Sequence, residues 1–349
     1  MKPIHALATA VPFAIGALAA PAAMAAEFYR GKQVELTIGA NPGGGYDTYA
    51  RITARHVAAR IPGSPTIVPR NRPGAGSRKA LNWMLKKAKR DGTVFGAFYP
   101  GTLVDPLLRP KRSKYDVTKF NFLGSVNKTA RVCFARKDAK AKNFADVFKT
   151  EMILGATQRG GSSRDFAVMF NQLLGTKFKV ISGYKGSKGI LLAIERGEVE
   201  GFCGNSWSSL SAARPEWAKG NFVNNFLMIT MKPHKAMAAQ GAETVWKYVK
   251  TDRQRKIIEF HVKQQEFGRP YIAPPGVPAA RLKILREALQ KTWYSAAFRK
   301  DATDARLNVQ PITGEEVKQL VMEIYSLPKD LMKEIIATTR KPRKKKKKK

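Results

Sequence analysis

Apolar residues along this chain fall into two alternating patterns, short unbroken runs and stripes of helical period. Val34–Ile38 is a run of strand length. Gly39, Pro42, Gly43, Gly44 and Gly45 interrupt it, and from Tyr46 the pattern turns helical. Ala50, Ala54 and Ala58 recur every four residues there, flanked by Tyr49, Ile52, Val57 and Ile61, until Pro62-Gly63 stops the helix. Thr66–Val68 reads as a second strand ended by Pro69. Leu81, Met84 and Leu85 mark a helix, and Val94–Tyr99 and Phe122–Val126 are strands. A second cycle follows. Strands at Arg131–Ala135, Met152–Ala156, Phe178–Ile181 and Val199–Cys203 alternate with helices at Asp165–Leu174 and Gly189–Arg196, and Asn143 reads as a further helix N-cap. Phe226–Thr230 and Arg269–Ala273 are strands, and helices lie near Thr251–Phe267, Pro278–Thr292 and Gly314–Tyr325. The rhythm predicts an α/β fold of two doubly wound modules.

In open α/β sheets ligands sit beyond the carboxyl ends of strands. Four glycine- and serine-rich loops follow strands here: Gly43–Asp47, Thr157–Ser163, Gly183–Gly186 and Gly204–Ser208. The first opens a helix. Unpaired N–H groups and the positive end of the helix dipole meet there, and glycines let a ligand approach them. That is an anion pocket, for a carboxylate or phosphate. A branched side chain at Gly44 or Gly45 is expected to block it. Asp47 sits in the first helical turn, and two roles stay open for it: capping the helix or facing the ligand.

The 349 residues suffice for two domains. Residues 1–26 read as a secretory signal peptide: a short polar start, an apolar segment, and Ala23-Met24-Ala25 at the cleavage site. No later stretch is apolar for the ~20 residues a membrane span needs, so the mature chain is expected to be soluble and outside the cytoplasm. The charge is extreme, with 63 Lys+Arg against 26 Asp+Glu, a net +37. Nine of the basic residues lie in 340–349, which is expected to be a disordered polybasic tail. The body is therefore basic too, a field that attracts anions. A polyanion-binding envelope protein is one reading of it, and the secretory signal argues against nucleic acid as a native partner. The two cysteines, Cys133 and Cys203, both fall in predicted strands of a chain bound for an oxidising compartment. A disulfide and two separate buried thiols both fit them.

Several chemistries fail on spacing. Gly43–Thr48 lacks the third glycine of a dinucleotide fingerprint, and the second strand carries no acidic residue for a ribose. Gly183–Gly189 lacks phosphate-loop spacing. His56, His234 and His261 stand too far apart to suggest a metal site, and no cofactor is implied. Gly204-Asn205-Ser206-Trp207-Ser208 approaches a nucleophile elbow but ends in serine, leaving a secreted serine hydrolase using Ser206 as the rival reading.

In order along the chain, Phe28–Lys32, Pro42–Asp47, Asn71–Ser77, Asp91–Thr93, Gly183–Ser187, Glu195–Glu200, Cys203, Trp207–Ser209 and Arg269–Gly276 resemble a known family. It is that of the extracytoplasmic receptors of tripartite tricarboxylate transporters, the Bug family. Arg159, Arg164 and the lysine tail depart from its pattern. The resemblance spans about Phe28 to Tyr325 and implies a two-domain, Venus-flytrap-like periplasmic binding protein. Domain I would be 27–130 plus 231–339, and domain II would be 131–230. It implies a monomer that binds a small carboxylate, performs no catalysis and serves the permease subunits of a transporter. The expected ligand-binding residues are Gly44, Gly45, Tyr46 and Asp47 from one domain, and Gly161, Ser162, Ser163, Tyr184 and Asn205 from the other.

Overall fold

The computed structural model describes residues 27–113 and 115–339; the expected signal peptide and polybasic tail lie outside the described residues. Twelve strands form two six-stranded mixed sheets. In chain order they are β1 Gln33–Ile38, β2 Thr66–Asn71, β3 Val94–Ala97, β4 Asn121–Ser125, β5 Arg131–Arg136, β6 Met152–Ala156, β7 Phe178–Ser182, β8 Gly201–Ser206, β9 Val223–Ile229, β10 Glu243–Thr244, β11 Pro270–Ala273 and β12 Ile312–Thr313. The first sheet runs β12-β4-β11-β3-β1-β2, and the second β10-β9-β5-β8-β6-β7. Each sheet with its helices forms a lobe. The chain leaves the first sheet after β4 and returns with β11; strands β5 to β10 between them make up the second, with β10 beyond residue 230.

Within each lobe the parallel core is what alternating strands and helices dictate. β1 pairs in parallel with β2 and β3, and β6 with β7 and β8. β11 and β12 join the first sheet antiparallel, and β5 joins β8 and β9 antiparallel in the second. Val34, Leu36 and Ile38 on one face of β1 and Thr37 on the other are fully buried, as a strand covered on both faces requires. Among the described residues no helix is long and apolar enough to cross a membrane.

Four local differences from the sequence reading have physical causes. β2 runs through Pro69 to Asn71, because it is an edge strand and the missing proline N–H has no partner to lose. β8 begins two residues late and continues through Gly204, Asn205 and Ser206, which are strand rather than loop. Its pairing with β5 shifts register between Val132 and Cys133, and Gly204 takes φ +84 there. Asn143 caps only a single 3-10 turn, Asp146–Phe148, by accepting from Asp146 N–H. The helix expected to reach Phe267 stops at Lys263, and Gln265 C=O instead accepts from Thr129 N–H in the other crossing segment. Helices Pro100–Leu108, Ala296–Asp304 and Lys329–Thr338 were not expected from the pattern. Cys133 and Cys203 face each other across β5 and β8 and are bonded.

The opening loop is held by Asp47. Gly44 is the N-cap of helix Gly45–Val57 and offers no side chain, so the carboxylate three residues on reaches back. Asp47 is 4% exposed. Its Oδ2 accepts from Gly43 N–H at 2.9 Å, its Oδ1 accepts from Asn71 Nδ2 at 2.8 Å, and Arg51 Nε donates to both oxygens. Asparagine offers one acceptor where three donors converge, and its amide N–H would face Arg51 or Asn71. Asp47→Asn is therefore expected to lower unfolding free energy by about 1–3 kcal/mol, read from urea denaturation. An unchanged midpoint would show that the loop does not need this carboxylate.

Candidate functional site

A cavity of about 110 Å³ lies between the lobes. Helices Gly45–Val57 and Pro100–Leu108 of the first lobe open onto it, as do Ser162–Leu173 and Gly186–Glu195 of the second. Each points its unpaired N–H end inward, so four positive helix ends converge on one small volume. The lobes meet around it. Arg269 Nη2 donates to Ser209 Oγ at 3.0 Å, Tyr49 Oη donates to Ser208 Oγ at 3.3 Å, and Arg164 Nη1 donates to Thr339 C=O.

Two buried arginines set the electrostatics. Arg131 lines the cavity, is 7% exposed, and donates from Nη1 to Ser162 Oγ at 2.8 Å and Gly204 C=O at 2.9 Å. Arg269, 1% exposed, donates to Asn127 Oδ1 and Thr129 Oγ1 and stacks on Tyr49, with Tyr46 next to it. Neither forms an ion pair with a carboxylate among the described residues. Burial pushes the Arg131 pKa below its usual value; the Tyr46 side chain opposes this and the Arg269 charge adds to it. This corner of the cavity is short of negative charge.

The second lobe's loop is built like the first. Asp165, in the first turn of helix Ser162–Leu173, accepts from Gly160 N–H at 2.9 Å, as Asp47 accepts from Gly43. Arg164 donates to Asp165, a role for one of the two arginines that depart from the family pattern. Burial raises the Asp165 pKa, while Arg109 and Arg164 pull it back. Ser163 Oγ accepts from Thr157 N–H.

Of the expected ligand-binding residues, Gly44, Gly45, Tyr46, Gly161, Ser162, Ser163 and Asn205 line the cavity. Asp47 does not; it is spent on the loop. Tyr184 does not either: its hydroxyl lies 3.5 Å from Glu198, and its ring packs on the apolar cluster around Ile190. Asn205 is buried with its Nδ2 unpartnered. Sequence reading missed Arg131, Arg109, Asp165, His261, Gln264 and Gln265, all of which line the cavity. An arginine opening an otherwise apolar strand was the available signal for Arg131. The other residues sit on amphipathic helices or turns, where polarity reads as solvent exposure. The hydrolase geometry is not assembled. Ser206 Oγ is 3.1 Å from Ser208 Oγ, and no histidine hydrogen-bonds to either among the described residues. No cluster of metal-binding side chains occurs there.

A ligand-sized cavity enclosed between two α/β lobes is the architecture of two-domain periplasmic binding proteins. No family model matches the sequence, and no curated protein matches it. Solved structures do match the fold. The periplasmic binding protein BugD aligns with TM-score 0.67 and 20% identity, over 88% of this chain and 98% of that one. MatC from Rhodopseudomonas palustris, with bound malate, aligns with TM-score 0.66 and 18% identity, over 87% of this chain and 99% of that one. A second R. palustris protein, with adipate, aligns with TM-score 0.67 and 17% identity, over 88% and 97%. The chain thus has the fold of these solute-binding proteins.

The two opening glycines differ in the room they leave for a side chain. A Cβ on Gly44 would meet only Asn41 C=O at 3.8 Å and Ser187 Oγ at 3.9 Å. One on Gly45 would lie 2.1 Å from Ser209 Oγ and 3.0 Å from Arg269 Nη2. Gly45→Ala is expected to hold the lobes apart and weaken ligand binding at least tenfold with the circular dichroism spectrum intact. Gly44→Ala should change affinity far less. Calorimetric titration compares them, and equal losses would refute the asymmetry.

His261 supplies a pH test. Burial lowers its pKa to about 4 from an ordinary 6.5. Between those values the unfolded chain binds the proton and the folded chain does not. Stability is therefore complete above about pH 6.5 and falls as pH drops toward 4, by up to about 1.4 kcal/mol per pH unit. His261→Gln should remove that part of the acid slope, measured as denaturant midpoints at pH 7.5 and 5. An unaltered slope would mean His261 takes up its proton normally in the folded state.

Proposed function

We propose that this chain is a periplasmic solute receptor that captures a small carboxylate between its lobes and delivers it to a membrane permease of the tripartite tricarboxylate type, acting by binding alone. The observation that carries this reading is Arg131: a buried guanidinium with no carboxylate partner, in a cavity where four helix N-termini converge. A buried unpaired charge is costly, and a bound anion relieves it. The malate and adipate held by two structural neighbours are small carboxylates. The carboxylate would lie against the N–H groups of Gly44, Gly45 and Tyr46 on one side and of Ser162 and Ser163 on the other, with Gly161, whose own N–H is taken by Gln158 C=O, lining the approach and Asn205 Nδ2 donating. The two lobes, the second reaching past the expected boundary at residue 230 to include β10, would act as hinged domains of a monomer, and closure would create the surface a permease recognises.

Native mass spectrometry of the purified protein is expected to show a co-purifying small acid. Arg131→Met separates binding from stability. Replacing a buried charge with an apolar side chain of similar length is often neutral or stabilising, so unfolding free energy should stay within about 1 kcal/mol of the parent. Affinity for that acid should fall by roughly 10- to 150-fold, the scale of a charge-assisted hydrogen bond. Full affinity in this variant would remove the carboxylate reading's main support.

A further inference from the structure

One wall of the cavity differs chemically from the rest. It is formed by the end of helix Asp252–Lys263 and the turn after it, through His261, Gln264 and Gln265. Gln265 is 4% exposed, and neither its amide nitrogen nor its amide oxygen has a hydrogen-bond partner. His261 Nε2 has none either. Gln264 donates to Phe260 C=O and keeps its Oε1 beside Gly101. Of the charged groups that line the cavity, Arg109 is paired with Asp105 and Asp165 with Arg164, while Arg131, Lys185 and Lys188 belong to no ion pair among the described residues and lie on other elements than this wall. Burial keeps His261 neutral at pH 7. The wall therefore has no unbalanced charge, yet it holds donors and acceptors that no described residue satisfies.

We propose that His261, Gln264 and Gln265 form a specificity subsite for an uncharged hydrogen-bonding group, so that the ligand is a carboxylate bearing an amide, hydroxyl or keto group rather than a dicarboxylate or a plain aliphatic acid. This rests on the carboxylate reading above and narrows it. Gln265 is the deciding residue, because a primary amide both donates and accepts and can pair twice with a group of the same kind. A second carboxylate here would meet the Gln265 carbonyl and find no cation on this wall, and Arg109 is already committed to Asp105. A methyl end would leave both Gln265 atoms unpaired. Sites built to hydrogen-bond a group discriminate strongly against analogues that lack it.

The test is calorimetric titration of the full-length protein at pH 7 with two matched sets of acids. Succinamate, succinate and butyrate form the shorter set; adipamate, adipate and hexanoate form the longer. The amide acid is expected to bind about tenfold tighter than both of its partners in at least one set. In Gln265→Met, checked by its melting curve, the ratio of amide to aliphatic affinity should fall toward one. If a dicarboxylate or aliphatic acid equals the amide acid in both sets, the subsite proposal is overturned while the receptor reading stands. If none of the six acids binds, both fall. A folded Gln265→Met with the parent's ratio would also overturn the subsite. The panel on the unaltered protein decides even if that variant fails to fold.

Discussion

The site depends on keeping a guanidinium buried without a carboxylate to neutralise it. Arg131 opens β5, the strand by which the chain enters the second sheet. Its hydrogen bonds to Ser162 Oγ and Gly204 C=O tie that strand to the helix start that lines the cavity. The local structure serves this placement. The register shift between Val132 and Cys133 and the positive φ of Gly204 turn the end of β8 toward helix Ser162–Leu173. A Cβ at Gly204 would lie 2.9 Å from Ser162 C=O, so glycine allows that approach. The Cys133–Cys203 bond fixes the pairing of β5 and β8 two residues from Arg131. Folding holds the charge in place, and its electrostatic cost remains for an anion to offset.

Both lobes solve the same local problem in the same way. A glycine loop that must present N–H groups to a cavity cannot also be held by them. In each lobe an aspartate in the first helical turn takes one N–H just upstream, Gly43 by Asp47 and Gly160 by Asp165, and fixes the loop from behind. An aspartate so close to a helix N-terminus would by itself compete with an anionic ligand. Arg51 and Arg164 pair with these carboxylates and reduce that competition. Asp47 thus supports the loop without touching the cavity.

Much of this was legible beforehand. β6 was found because a buried parallel strand is a short apolar run, β1 because Val34, Leu36 and Ile38 recur at strand period, and the loops because glycine interrupts them. Asp47 was placed on the right helix with its role left open, since Gly43 and Arg51 are within a helical turn of it but the third donor, Asn71, is brought in only by β2 packing beside the loop. Helix Pro100–Leu108 was obscured by Pro106 inside it, although Pro100 at its first turn suits a helix start. His261 and Gln265 carried no signal at all. Their burial comes from the returning chain folding against the second lobe, a contact between segments about 100 residues apart.

The net charge and the cavity act over different ranges. A body carrying most of a +37 excess raises the local concentration of any anion and speeds its arrival. That attraction is screened over about 10 Å in salt and distinguishes little among small acids. Discrimination must come from groups that water does not reach. In this cavity those are Arg131, which demands one negative charge, and the unpartnered amides of Asn205 and Gln265, which demand hydrogen bonds. Affinity for charge and selection by hydrogen bonding thus sit on different residues, and substitutions at one should alter how tightly acids bind while substitutions at the other alter which acid is preferred.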